Sequence, residues 1–178
     1  MTKMLNTLSL PLQVELEIIG SAMSNPDFLL QIEWLTTTYF QDSLNSAVFW
    51  AMNQLVYEGI ESLNDLTVGR LINKQHSLQY MIGNSITCQQ LGINSLQEYS
   101  KECLAVARPT IEEYKLLATD LVNTAFKLKA QETFSKLENM CISSKHNLNE
   151  LNAIFHQELD RLAESFILEK DVKLFGEQ

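Results

Sequence analysis

Between Pro109 and Gly176 the chain contains neither proline nor glycine. A stretch of that length without a breaker, rich in Leu, Glu, Lys, Ala and Asn, has few alternatives to long helices. Thr110 and Glu113 have the spacing of a capping box, in which hydroxyl and carboxylate satisfy two backbone N–H groups at a helix start. From there Leu117, Leu121, Ala125 and Leu128 extend an apolar stripe towards Phe134, Leu137 and Cys141. The polar run Ser143 to His146 predicts a reversal, and Asn147 with Glu150 repeats the helix-start signature. Leu148, Leu151, Phe155, Leu159, Leu162 and Phe166 then line one face of a second long helix. Two long stripes joined by a short loop predict an antiparallel helical hairpin. A hairpin of this size buries one face internally. Phe126, Phe134 and Phe166 are left over and point to a partner surface.

Upstream, the pattern is one of shorter helices. Residues Met1 to Ser9 read as a frayed leader, and Pro11 fits the first turn of a helix over roughly Leu12 to Met23, with Leu12, Ile18, Ile19 and Ala22 as its stripe and Glu15 an acid at its edge. Gly20 costs such a helix about 1 kcal/mol relative to alanine, a cost usually tolerated for close packing. Asn25-Pro26-Asp27 predicts a break and a new helix carrying Phe28, Leu29, Ile32, Trp34 and Leu35. The central stretch Tyr39 to Leu71 reads as a helix with Val48, Phe49, Met52, Leu55 and Val56 on one face, started by Ser43 or Asp42 and stopped at Gly59. Asn64 or Asp65 then caps a helix with Leu66, Val68, Leu71 and Ile72. Lys74 to Ser95, punctuated by Gly83 and Gly92, predicts short helices and loops. Leu96, Tyr99, Cys103 and Leu104 mark a last short helix ending near Val106, because Arg108 precedes Pro109 and is biased towards extended backbone. The expected organisation is all-α: a compact helical head over 1–108, a hairpin for subunit pairing over 109–170, and the start of a linker or tail over 171–178.

Bulk properties narrow the function. With 178 residues the chain suffices for one good-sized domain or a small head plus an extended element, and 46% hydrophobic against 20% charged residues is ordinary for a globular protein. The formal charge of −9 would repel a phosphate backbone, so little direct nucleic-acid binding is expected. Cys88, Cys103 and Cys141 are widely spaced without a CxxC pair, which fits reduced thiols in a cytoplasmic protein. No signal peptide or membrane span is evident, so no membrane partner is expected.

No phosphate-cradling GxxxxGK[ST] loop, HExxH helix, Cys/His cluster or GxSxG elbow occurs. His76, His146 and His156 lie far apart, and Glu15 and Glu17 fall on different faces of one helix. Arg70 and Lys74 stand almost alone on what would be a DNA-reading helix. The sequence thus predicts no catalytic residue, no cofactor and no metal, and a chain that is not itself an enzyme.

The assembled pieces resemble the N-terminal domain of DnaB-type bacterial and phage replicative DNA helicases, over roughly Leu12 to Phe166. Glu15-Leu16-Glu17-Ile18-Ile19-Gly20-Ser21-Ala22 is similar to the family's early E-x-x-x-(apolar)-G-(small) helix, and Asn25-Pro26 falls where the family turns. Phe40, Val48-Phe49-Trp50-Ala51-Met52, Leu55, Gly59 and Asp65-Leu66-Thr67-Val68 with Leu71 are similar to its phenylalanine, helix, glycine and D-x-x-T/T-(apolar) series. Leu96, Tyr99 and Pro109-Thr110-Ile111-Glu112-Glu113-Tyr114 resemble the entry to its helical hairpin. By this resemblance Gly20, Phe40, Phe49, Met52, Gly59 and Asp65 define the fold. The chain departs from the pattern at Asn45, where many relatives carry histidine, and at Met81-Ile82-Gly83-Asn84 in place of a glycine pair, with a longer polar insertion before Leu96. The nucleotide-binding motor of the family, an ATP-dependent DNA helicase, has no counterpart in the sequence, which ends about where a linker to it would begin.

The resemblance implies a non-catalytic collar that pairs through its hairpin into dimers, assembling as a trimer of dimers, and that docks primase and a helicase loader during DNA replication. The self-association surface expected from the stripe comprises Leu117, Leu121, Leu128, Leu151, Phe155, Leu159 and Leu162. Three alternatives stay open. The hairpin could fold back on the head; the chain could be a stand-alone adaptor or inhibitor of a helicase or loader; or it could be the helicase-binding C-terminal domain of a primase, which resembles the same fold.

Overall fold

Pro11, lacking an N–H, sits where a helix leaves its donors unpaired anyway, in the first turn of α1 (Leu10–Ser24). The computed structural model describes residues 8–60, 62–143 and 147–166. Within them lie nine α-helices, one 3-10 turn and no strand. After α1 come α2 (Asp27–Gln31), the 3-10 turn Thr37–Tyr39, α3 (Ser43–Tyr57), α4 (Asp65–Asn73), α5 (Leu78–Asn84), α6 (Ile86–Leu91), α7 (Leu96–Ala105), α8 (Ile111–Ser143) and α9 (Leu148–Glu164). The expected leader lies almost wholly outside the described residues, as do most of the Ser143–His146 reversal and the 171–178 tail.

Helix α3 shows how local sequence sets an element. Asp42 is the N-cap: its carboxylate accepts from Leu44 N at 2.8 Å and Asn45 N at 3.4 Å, so Ser43 is the first helical residue. Val48, Phe49, Met52 and Leu55 are buried, and the rings of Phe40 and Phe49 meet at 4.8 Å. At the other end Gly59 takes φ +81°. Gly59 N donates to Val56 O and Ile60 N to Leu55 O, both at 2.9 Å, the paired closure that a left-handed glycine permits.

Two expectations are corrected in this region, and one open choice, the cap of α4, is decided. The helix after Pro26 stops at Gln31; Ile32 and Leu35 are buried but lie in a turn closed by Leu35 N to Ile32 O at 3.1 Å, and Trp34 is half-buried. The run Thr36-Thr37-Thr38 that follows has poor helix propensity, and Thr36 and Thr38 bond each other through their hydroxyls. Asn64, not Asp65, caps α4, with Thr67 in the return position of the box; Asp65 occupies the first turn, where a negative charge suits the helix dipole. Leu66 is 65% exposed, because the buried face of α4 is Val68, Gly69 and Ile72.

Helix α1 lies at the centre of the packing, against α7 most extensively and against α3 as well. Leu12, Leu16, Ile18, Ile19 and Ala22 supply the apolar surface, each 3% exposed or less. Arg108 fastens the far end of α7 back to α1: its backbone N–H donates to Ser21 Oγ at 2.7 Å and its guanidinium reaches Glu17 at 2.8 Å.

The chain separates into two compact units, Met1–Val122 and Asn123–Gln178. The sequence places that division at residue 108, ahead of α8. It falls later because Tyr114, Ala118, Leu121 and Val122 are buried and belong to the first unit, with Tyr114 stacked at a tilt on Phe28 at 5.2 Å. The box expected at the start of α8 is half made. Thr110 Oγ1 accepts from Glu113 N at 3.2 Å, while the Glu113 carboxylate is occupied by the Thr110 hydroxyl at 2.9 Å and not by the backbone. Asn147 and Glu150, by contrast, form the full reciprocal box at the start of α9.

Candidate functional site

Two places in the molecule hold more than ordinary packing, one in each unit. In the second unit, α8 from Asn123 onward and α9 meet through specific side chains. Lys136 Nζ lies 2.8 Å from Glu158, which Arg161 also approaches at 2.9 Å. The hydrogen bond from Lys136, aided by both positive charges, holds Glu158 below the usual carboxylate range. The rings of Phe126 and Phe166 pack edge to face at 5.2 Å. A shallow cleft of about 440 Å³, lined by Lys129, Thr133, Glu158, Arg161, Leu162, Glu164 and Ser165, lies on this unit.

The apolar complement of the second unit is mostly uncovered. Among its described residues Leu137 and Leu162 are the large apolar side chains that are buried, whereas Phe126, Leu128, Phe134, Ile142, Leu148 and Leu159 are exposed. The seven residues expected to form the self-association surface therefore separate. Leu128 and Leu159 are exposed at 38% and 41%, and Leu151 and Phe155 are half-buried on α9. Leu162 is covered within the second unit. Leu117 is half-buried and Leu121 fully buried in the first unit, so Leu121 belongs to the core of the head and offers nothing to a partner.

The second place was not anticipated. Glu15, placed at the edge of the α1 stripe by its sequence position, is 0% exposed. Its carboxyl accepts from Gln41 N at 2.7 Å, Asn45 Nδ2 at 2.7 Å and Asp42 N at 3.4 Å. Asn45 Oδ1 in turn accepts from Tyr99 OH at 2.7 Å, and its Nδ2 also lies 3.3 Å from Thr87 Oγ1. Asp42 Oδ2 accepts from Ser85 Oγ at 2.8 Å and Thr87 N at 2.9 Å. One network thus joins α1, the start of α3, the start of α6, and α7. Burial, partly offset by these donors, pushes Glu15 from its ordinary 4.5 up to about 7. Burial likewise pushes the Tyr99 hydroxyl and the Cys88 and Cys103 thiols upward. The available signal was an acid whose spacing from Leu12 and Ile19 puts it on the apolar face.

The network is closed to substrates, and its groups are occupied with each other. A cleft of about 290 Å³ on the first unit, between the α3 start, Trp50, Gln75, His76 and Met81, holds no converging acid and base. His156 is exposed on α9, and His146 lies outside the described residues. Among the described residues no group of three His, Cys, Asp or Glu side chains is placed to hold a metal ion, and no helix is long and apolar enough to cross a membrane. Cys88 and Cys103 are buried and Cys141 is exposed, all three as free thiols. No family model matches the chain, and no curated protein does.

Proposed function

We propose that this chain is a non-catalytic, cytoplasmic collar of the kind that precedes the motor of a replicative DNA helicase, pairing with further copies through its second unit and docking primase and helicase loader. The observation that carries the proposal is the uncovered apolar surface of that unit. Two helices that bury Leu137 and Leu162 while exposing Phe126, Leu128, Phe134 and Leu159 remove too little apolar area from water to hold their own pairing. A second copy supplies the missing cover.

The contacts Phe126 with Phe166 and Lys136 with Glu158 support an antiparallel hairpin, since one residue number rises as the other falls. Positions that carry the resemblance also have demanding roles in the head: Gly20 against α7, the Phe40–Phe49 ring pair, Met52 in the core and Gly59 at the left-handed turn. A net charge of −9 suits docking of proteins better than tracking of DNA.

Sedimentation velocity at tens of micromolar protein is expected to show a dimer or larger assembly, a concentration on the order of a weak-interface dissociation constant. Phe134→Asp and Leu159→Asp, each placing a charge on an exposed apolar position, are expected to weaken it by about 100-fold or more while the helical circular-dichroism signal persists. A wild-type chain that stays strictly monomeric at that concentration overturns the pairing. Capture assays with purified primase and loader then test docking; binding to neither leaves a purely structural collar.

A further inference from the structure

The first unit buries two carboxyl groups without a cation. Glu15 and Asp42 are 0% and 1% exposed, and among the described residues neither pairs with Lys, Arg or His. Their surroundings differ. Asp42 accepts from Leu44 N, Asn45 N, Ser85 Oγ and Thr87 N, a donor set that suits a carboxylate. Glu15 has two backbone donors, which can only donate, and one side-chain partner that can present either a donor or an acceptor, the amide of Asn45.

We propose that Glu15, Asn45 and Tyr99 form a proton-responsive relay: when Glu15 takes up a proton, the Asn45 amide makes a half-turn and the Tyr99 hydroxyl changes from donor to acceptor. With Glu15 ionised, Asn45 Nδ2 donates to Glu15 and Asn45 Oδ1 accepts from Tyr99. With Glu15 protonated, its O–H donates to Asn45 Oδ1 and Asn45 Nδ2 donates to Tyr99 Oη. The Tyr99 proton then turns from Asn45 towards the Cys103 sulfur, four residues further along α7 and equally buried. Thr87 Oγ1, 3.3 Å from the Asn45 amide, accepts in the first arrangement and donates in the second. Glu15, Asn45, Thr87 and Tyr99 each have at least one partner among themselves in both arrangements. The proton comes from water and returns to it, and no other bond changes.

Burial is the chief cause that favours uptake by Glu15 and the charge of Asp42 adds to it, while the donors Gln41 N, Asn45 Nδ2 and Asp42 N oppose it. Asp42 contributes its charge from the start of α3; Cys88 from α6 and Tyr99 and Cys103 from α7 are held protonated by burial. Glu102 lies beyond Cys103, and Glu17, on α1 itself, is engaged by Arg108. Glu15 at about 7 thus places the exchange within the range of ordinary cellular pH.

The test is an NMR titration of the full chain, labelled with carbon-13 and nitrogen-15, from about pH 5 to about pH 9, a window that brackets a carboxyl raised by burial. The Glu15 side-chain carboxyl carbon is expected to titrate near neutrality, with the Asn45 amide and Tyr99 ring signals moving at the same midpoint. Asn45→Ala is expected to leave Glu15 titrating while the Tyr99 signals cease to follow it. A Glu15 midpoint in the ordinary carboxylate range overturns the relay. So do Asn45 signals that stay fixed while Glu15 titrates, and Tyr99 signals that still follow in Asn45→Ala. Should Asn45→Ala fail to fold, the wild-type titration alone decides between these outcomes.

Discussion

Gly20→Ala is expected to destabilise the first unit by about 3 kcal/mol or more and to lower its melting temperature by on the order of 10 °C. A methyl group at Gly20 would lie 1.9 Å from the carbonyl oxygen of Cys103 and 2.4 Å from its carbon. Both are backbone atoms, so no rotamer change relieves the overlap; α1 and α7 must move apart by more than an ångström along their main contact. The helix propensity of alanine returns only about 1 kcal/mol, and the clash wins. Two other glycines serve as references. Gly69→Ala meets the ends of Leu96 and Leu78 at 3.1 and 3.3 Å, methyl groups that can shift, and should cost much less. Gly83→Ala enters open space within α5 and should stabilise by about 0.5–1 kcal/mol. Urea unfolding of the three variants checks the order. A Gly20→Ala midpoint equal to that of wild type would mean that the two helices are not in the contact described.

The second large effect is one of pH. Because Glu15 binds its proton more tightly in the folded protein than in the unfolded chain, the folded state holds more protons between the ordinary carboxyl value of 4.5 and about 7. Raising the pH through that window therefore lowers stability. The contribution is complete below the unfolded value and is lost once the pH has passed the folded one. At about 1.4 kcal/mol for each tenfold change in proton affinity, the loss is on the order of 3 kcal/mol. Its direction is opposite to that of an acid stabilised by a salt bridge, such as Glu158, whose contribution is lost on acidification. Glu15→Gln cannot ionise. The stability difference between wild type and this variant, measured by urea unfolding at about pH 5 and about pH 8, should change by roughly that amount in favour of the variant at the higher pH. A difference that is constant, or that moves in wild type's favour, contradicts the assignment.

What could be read before the fold was known, and what could not, divides along the range of the interactions. Elements set by neighbours a few residues away were legible: the long helices bounded by Thr110 and Asn147, the α3 stripe, and the left-handed stop at Gly59. Gly20 announced a close approach, though not that the atom opposite is the Cys103 carbonyl. The errors arose where a distant partner decides. Leu66 carried the right spacing for an apolar face, yet the surfaces covering α4 select Val68 and Ile72 in its place. Leu121 shared the hairpin stripe, and only the packing around it assigns it to the head. The Glu15 network joins residues separated by 26 to 54 positions, and local periodicity carries no record of such bonds. An acid on an apolar stripe was its only local trace.

The unequal burial of the three thiols has a practical use. Cys88 and Cys103 lie inside the first unit, where burial both covers the sulfur and disfavours the thiolate, the form that reacts with alkylating reagents. Cys141 is exposed near the end of α8, within the second unit. The unmodified chain thus carries its own single attachment point for a maleimide fluorophore. Donor- and acceptor-labelled batches, mixed, would convert meeting of two second units into an optical signal without altering a residue.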